Sequence, residues 1–363
     1  MPVVGNLLGN KKDNYVKDIK TEYENLREHH LKNRIQKPYR TYSEALKNKL
    51  SLDFNAENIS VPAFTGIKVF EDYPLEEISH YIDWTPFFRT WELAGKYPEI
   101  LEDKIVGEHA QNLFNDAKEL LGKIIKEKWL QAKAVIGIWN ANSDGDDIEI
   151  YTDENRNTTE NIIHTLRQQG QKSAGLPNIS LSDFIAPKDS GKKDYIGGFA
   201  VTTGIGIEKQ IQKFEDDKDD YNKIMLQALA DRLAEAFAEL MHKKVRTEYW
   251  GYSMNEKLDN DELIKEKYRG IRPAPGYPAC PDHLEKITLF KLLDAEKNTG
   301  IKLTESLAMH PASSVSGLYF AHPGSKYFGL GKIGKDQVED YAKRKGMKKE
   351  EIERWLSPNL NYE

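Results

Sequence analysis

The stretch from Arg269 to His283, RGIRPAPGYPACPDH, constrains the fold more than any other part of the chain. Pro273, Pro275, Pro278 and Pro281 remove backbone donors and fix φ, so a helix is excluded and a central strand is disfavoured. What is left is a stiff loop. Stiffness lowers the ordering cost of binding a ligand, and Gly276 permits a turn that brings backbone close to one. Arg272 adds a planar fork of donors suited to a carboxylate. By itself this pattern also fits a rigid connector whose arginine makes a structural ion pair.

The remainder of the chain is rich enough in apolar residues, 39% of 363, to bury one large core or two ordinary ones without metals or cross-links. Its 52 basic and 58 acidic residues are interspersed, which argues against a nucleic-acid-tracking surface. Cys280 is the single cysteine, so an internal disulfide and a multi-cysteine metal site are excluded, and a reducing compartment such as the cytosol is expected. No apolar run approaches a membrane span, and MPVVGNLLGNKK lacks the features of a secretion signal.

Several elements are expected from periodicity. Val16, Ile19, Tyr23 and Leu26 mark a surface helix within Lys11 to Gln36, packing one narrow stripe. IDWTPFFRTWELAGKYP reads as a ligand wall or core, and Ile100 to Glu127 as a helix. AKAVIGIWNANSDGDDIEIYT predicts a hairpin turning at Asp144 and Gly145, and YIGGFAVTT a further strand. Tyr221 to Val245 predicts a long scaffold helix. A helix from about His283 to Gly300 is then expected, followed by a meander of KLTESLAM, SVSGLYFAH and SKYFGLG and by two C-terminal helices. These elements predict an α+β fold, a single large domain with a mainly antiparallel twisted sheet flanked by helices. A Rossmann fold is not supported.

The stretch RGIRPAPGYPACPDH closely resembles the S-adenosylmethionine-binding signature of the C-terminal activation domain of cobalamin-dependent methionine synthase. YIDWTPFF, LAGKYP, DDIEIY, SGKKDYIGGFAVT, DDYNKIMLQALADRLAEAFAE, YWGY, SVSGLYFAHPGSKYF and DQVEDYAKRKGM extend the resemblance in order along essentially the whole chain. It implies that residues 1–12 end an inter-module linker and that 13–363 form the activation domain. It implies that Arg272 holds the ligand carboxylate, that main-chain groups around Ala274 and Tyr277 contact the adenosyl part, and that Asp83, Tyr327 and Phe328 belong to the site. Phe328 stands where some relatives carry Tyr, so a role needing a second hydroxyl is in doubt there. Glu235 and Glu266 match acidic positions near the family's site, though solvated helix surface is an equal reading. Physics agrees with the pairing of Arg272 and Asp83, because a zwitterionic amino acid calls for one cation and one anion, while a sulfonium is drawn to an aromatic face such as that of Tyr327.

The same resemblance implies reductive reactivation, in which cob(II)alamin is reduced and S-adenosylmethionine methylates it, with flavodoxin or a similar flavoprotein as reductant. No side-chain base is needed, so no catalytic residue is assigned. Cobalamin and the zinc of a homocysteine module belong to parts of the full enzyme absent from this chain, which lacks a D-x-H-x-x-G motif and carries one cysteine. The chain is then a fragment or a natural split subunit whose partner is the cobalamin module. Two other classes stay open, a stand-alone S-adenosylmethionine-dependent methyltransferase and a non-enzymatic sensor or docking module. No metal site is expected: Asp282 with Glu285 reads as a helix-capping pair, and His310 and His322 as polar turn histidines.

Overall fold

The computed structural model describes residues 2–9, 12–33 and 38–362. Its centre is a sheet of six strands: β1 (Gly66–Tyr73), β2 (Gln131–Asp144), β3 (Asp147–Tyr151), β4 (Thr159–His164), β5 (Asp194–Ile205) and β8 (Ser314–Tyr319). β6 (Lys302–Leu303) and β7 (Met309–His310) form a separate two-stranded hairpin. Spatially the order is β4-β3-β2-β5-β8, all antiparallel, with β1 on the same edge of β2 as β3. β1 pairs the first half of β2, from Ala132 to Ile138, and β3 pairs the second half, from Ala141 to Asp144. The expected α+β single domain is therefore present.

β2 is apolar almost throughout because helices cover both faces of the sheet. Ala132, Ala134, Ile136 and Ile138 point into one core, where the long helix Asp220–Lys244 and the helix Gly107–Lys126 pack. Val135, Trp139 and Ala141 point into the other, against the helix Glu285–Leu293. The glycines paired across β2 and β5, Gly137 and Gly198, leave room for the Trp139 indole. A Cβ on Gly137 would lie 2.3 Å from that ring, and one on Gly198 would lie 2.7 Å from Leu289. A third apolar cluster, including Leu166, Leu284, Leu330, Tyr341 and Leu356, fastens the C-terminal helices Lys335–Lys345 and Lys349–Trp355 to the body. Beside it Arg167, wholly buried, is held by the carboxylates of Asp146 and Asp183.

The hairpin at Asp144 and Gly145, the β5 strand and the long helix form where periodicity places them. The aromatic segment from Ile82 is core: Phe87 and Phe88 are fully buried, Trp84 and Tyr97 pack against them, and Trp91 packs on the same core beside Tyr221. Other expectations are corrected. The helix near the N-terminus spans Lys12–Asn33, with Lys11 and residues 34–36 outside the described residues, and Tyr23 and Leu26 are exposed rather than packed. The helix expected from His283 to Gly300 is two, Glu285–Leu293 and Ala295–Thr299, because Asp294 adopts a left-handed conformation between them. The meander does not form, since β8 pairs with β5 and not with β7. SKYFGLG is not a strand; its end is bound instead to the proline loop, Leu330 N–H donating to the Pro278 carbonyl at 2.8 Å. Among the described residues no helix is long and apolar enough to cross a membrane.

Candidate functional site

The proline loop lies beside β8 as an extension of the sheet. Ile271 and Phe320 exchange N–H···O bonds of 3.0 Å, and Leu318 N–H donates to the Pro273 carbonyl at 2.9 Å. The loop then turns tightly: Tyr277 N–H reaches the Ala274 carbonyl at 3.2 Å and Gly276 N–H reaches the Cys280 carbonyl at 2.7 Å. Gly276 has φ +95°, and the His283 ring would lie 2.3 Å from a Cβ there, so backbone conformation and space both require glycine.

Between this loop and the sheet is a cavity of about 580 Å³. Ser314, Val315 and Ser316 of β8 and Phe199 of β5 line it, with Tyr327 and Phe328, while Lys286 and Met309 also border it. Seven of the eight residues expected at a ligand site converge here: Glu235, Glu266, Arg272, Ala274, Tyr277, Tyr327 and Phe328. Glu235 comes from the long helix and is exposed, as is Glu266, which takes a left-handed φ of +53° just past the helix Asn260–Ile264. Asp83 is not among the cavity-lining residues. It precedes the helix Thr85–Thr90, and its Oδ1 accepts the Thr85 N–H at 2.9 Å.

Arg272 is anchored along one edge of its fork. Nη1 is 2.7 Å from Glu239 Oε2, donates to the Tyr268 hydroxyl at 3.0 Å and lies 3.3 Å from His242 Nδ1. Burial opposes its charge, but Glu239, Tyr268 and Tyr327 outweigh burial and hold its pKa above the ordinary arginine range. Tyr327 braces the same residue, its hydroxyl accepting the Arg272 backbone N–H at 3.0 Å. Phe328 packs edge-on against Phe184, with ring centroids 6.3 Å apart, and so supports the wall without a hydroxyl.

Beneath Arg272 lies a layer of aromatic and charged groups. His242 stacks on Tyr319, which stacks on Phe199, with centroids 5.2 and 4.8 Å apart. Burial, with Arg246 and Arg272 beside it, pushes the His242 pKa well below the usual histidine range, so the imidazole is neutral. Because Nδ1 faces a guanidinium that only donates, the proton belongs on Nε2, 3.3 Å from the Tyr252 hydroxyl. Arg246 is fully buried, bound twice to Glu256 at 2.8 Å, with its guanidinium over the Tyr268 ring at 4.3 Å. It sits in the π-helical turn Val245–Tyr249 that ends the long helix.

Sequence reasoning missed Glu239, His242, Arg246, Tyr268 and Lys286. For the first three the signal was ambiguous, since Glu235, Glu239, His242 and Arg246 recur at helical spacing as a solvated helix face also does. Lys286 is buried, its ammonium donating to the Leu307 carbonyl at 2.9 Å, and burial lowers its pKa.

The C-P-D-H sequence is structural. Cys280 is buried in the second core, and burial pushes its thiol pKa up. The capping pair is corrected: Asp282 does accept the Leu284 N–H at 2.9 Å, but Glu285 turns away to Lys345, which also binds Asp282. His322 fills a polar turn, 3.1 Å from the Asp53 carbonyl, and His310 is exposed at 3.7 Å from Glu208.

A sheet walled on one side by a stiff proline loop, with a half-tethered arginine at the cavity between them, frames a candidate ligand-binding site in an α+β domain. The chain belongs to the family of vitamin B12-dependent methionine synthase activation domains, whose model matches residues 74–346. It is also similar to a MetH reactivation domain whose crystal structure is bound to AdoHcy, at 56% identity and a TM-score of 0.87, covering 90% of this chain and 100% of that one.

Proposed function

We propose that this chain binds S-adenosylmethionine in the cavity beside Arg272 and presents its methyl group to cobalamin held by another module of methionine synthase. Such a step supports reductive methylation of cob(II)alamin to methylcobalamin, after which the full enzyme methylates homocysteine to methionine. The observation that carries this reading is the fork of Arg272. Its Nη1 edge is tied to the protein, while Nε and Nη2 have no protein hydrogen bond among the described residues and remain available for a carboxylate. Glu235 and Glu266 supply negative charge for a sulfonium or an ammonium, and the ring of Tyr327 adds an aromatic face. Support comes also from the relative bound to AdoHcy, the demethylated form of the same ligand.

Positioning is then the whole contribution of the protein, because cobalt in its most reduced state is a strong nucleophile and needs only an in-line methyl group. Tyr277 and Tyr327, 61% and 38% exposed, flank the cavity and leave a side from which a cobalamin module would approach. A flavodoxin-like reductant and a cytosolic setting belong to the same proposal.

The test is calorimetric titration of the chain and of Arg272→Ala with S-adenosylmethionine and AdoHcy. A charge-assisted carboxylate contact contributes about 1.5–3 kcal/mol, so Arg272→Ala should weaken binding roughly 10- to 150-fold. Absence of saturable binding to the wild-type chain, or equal affinity in the folded variant, overturns the assignment. Addition of a cobalamin module and reductant should then yield methylcobalamin, read by its absorbance.

A further inference from the structure

We infer that Glu239 is a positioning residue for ligand recognition: it holds one edge of Arg272 so that the other edge is presented to the carboxylate of the bound amino acid. The inference rests on the proposed binding of S-adenosylmethionine and adds a residue behind the one that touches the ligand.

Glu239 is 7% exposed, on the face of the long helix that points beneath the cavity. Its Oε2 makes the 2.7 Å contact to Arg272 Nη1, whereas Oε1 has no hydrogen-bond partner and lies 3.9 Å from Arg246 Nη2. One carboxylate is thus shared by two guanidinium groups of unequal freedom. Arg246 is immobilised by two bonds to Glu256 and by the Tyr268 ring, and its Nη1 also lacks a partner. Its attraction keeps Glu239 oriented between the two arginines. Arg272 is the looser of the pair, 21% exposed, with Tyr268 and neutral His242 as its remaining side-chain partners. Without Glu239, no ion pair among the described residues would fix the rotation of that fork, since Glu266 acts on Arg272 across the cavity without pairing with it, and a bidentate carboxylate contact depends on that rotation. A neutral His242 matters for the same reason, since a second cation there would push Arg272 away.

The test compares two ligands on the full chain: S-adenosylmethionine, and decarboxylated S-adenosylmethionine, which lacks the group that Arg272 would bind. Glu239→Asp keeps the charge but withdraws it by one methylene. It should weaken S-adenosylmethionine binding at least fivefold and leave the decarboxylated ligand unchanged. Glu239→Gln keeps an oxygen in the same place without its charge, and should also weaken S-adenosylmethionine binding while leaving the decarboxylated ligand unchanged. Equal losses for both ligands would show general damage to the cavity and overturn the inference, as would unaltered binding by Glu239→Asp. Tighter binding by Glu239→Gln would also overturn it, because Glu239 would then compete with the ligand for Arg272. Arg272→Ala separates the two levels: if it fails to discriminate between the ligands, the carboxylate assignment itself is wrong. If it discriminates and Glu239→Asp does not, only the role of Glu239 is lost.

Discussion

Gly317, in the middle of β8, is where sheet packing and ligand site meet, and a single methyl group there should disturb both. An added Cβ would lie 2.9 Å from the Pro273 carbonyl oxygen and 2.9 Å from a ring carbon of Phe199. Neither neighbour yields easily. Phe199 is locked in a stack with Tyr319, and Pro273 is backbone, bound to Leu318 N–H on the next residue of the same strand. Relief requires the proline loop to move outward by several tenths of an ångström, carrying Arg272 and Ala274 with it. Overpacking of this kind costs about 1–3 kcal/mol of stability, and a displaced Arg272 fork loses the alignment that a bidentate carboxylate contact needs. Gly317→Ala should therefore lower the unfolding free energy in urea by about 1–3 kcal/mol. It should also weaken S-adenosylmethionine binding in titration. Gly122→Ala supplies the control: Gly122 is exposed within the helix Gly107–Lys126 and a Cβ there meets nothing within 4 Å. The same chemical change should raise stability by about 0.5–1 kcal/mol and leave affinity unaltered. If Gly317→Ala is as stable as wild type and binds as well, the loop is not held against β8 in the way described.

Burial pushes the Asp194 carboxyl up to about 6 from its ordinary value of 3.8, against the opposing effect of N–H donors from Ala186 and Tyr195. Because the folded chain holds this proton more tightly, the stability it contributes is complete below about 3.8 and is lost as pH rises through about 6. Unfolding free energy should carry a decline of about 3 kcal/mol across that window, and Asp194→Asn should abolish that part of the slope; an unchanged slope refutes the assignment. Arg167→Met should cost about 3–5 kcal/mol in urea denaturation, because it leaves the carboxylates of Asp146 and Asp183 buried without their cation. A cost under about 1 kcal/mol would show that these carboxylates take up protons or water without penalty. Asp83→Asn tests the one expected ligand residue that does not line the cavity. If the ligand's ammonium reaches Asp83, affinity for S-adenosylmethionine should fall roughly tenfold, as for other charge-assisted contacts, and an unaltered titration would confine Asp83 to its bond with Thr85.

The parts of the fold legible in the sequence are those where one physical requirement dominates. β2 and β5 show as near-continuous apolar runs because both faces are covered, and the Asp144–Gly145 turn punctuates them. β1 was not legible, since GIKVFEDY alternates between half-buried and exposed positions without a clean period of two. β4, TENIIH, is short and largely polar. SKYFGLG looks like a strand by composition, yet β8 already occupies the free edge of β5, and Leu330 spends its donor on the proline loop. Pairing partners are a property of the assembled sheet, and local propensity does not reveal them.

The site divides along a similar line. The loop that carries Arg272 is visible because four prolines leave it few conformations, so composition alone marks it as a rigid platform, whereas Ala274 and Tyr277 are singled out only by the family resemblance. Glu239, His242 and Arg246 are concealed because a helix tolerates almost any side chain, and polar residues at intervals of three and four ordinarily mean solvated surface. Only burial distinguishes them: the same stripe that reads as a wet face lies under the cavity, with Arg246 and His242 wholly enclosed. A buried arginine calls for a carboxylate, which Glu256 supplies to Arg246 at 2.8 Å and Glu239 supplies to Arg272 at 2.7 Å. In the proposed site, the chemistry that would touch the ligand is thus written in a loop of unusual composition, while the chemistry that would aim it is written in ordinary helix residues whose meaning depends on what the sheet places above them.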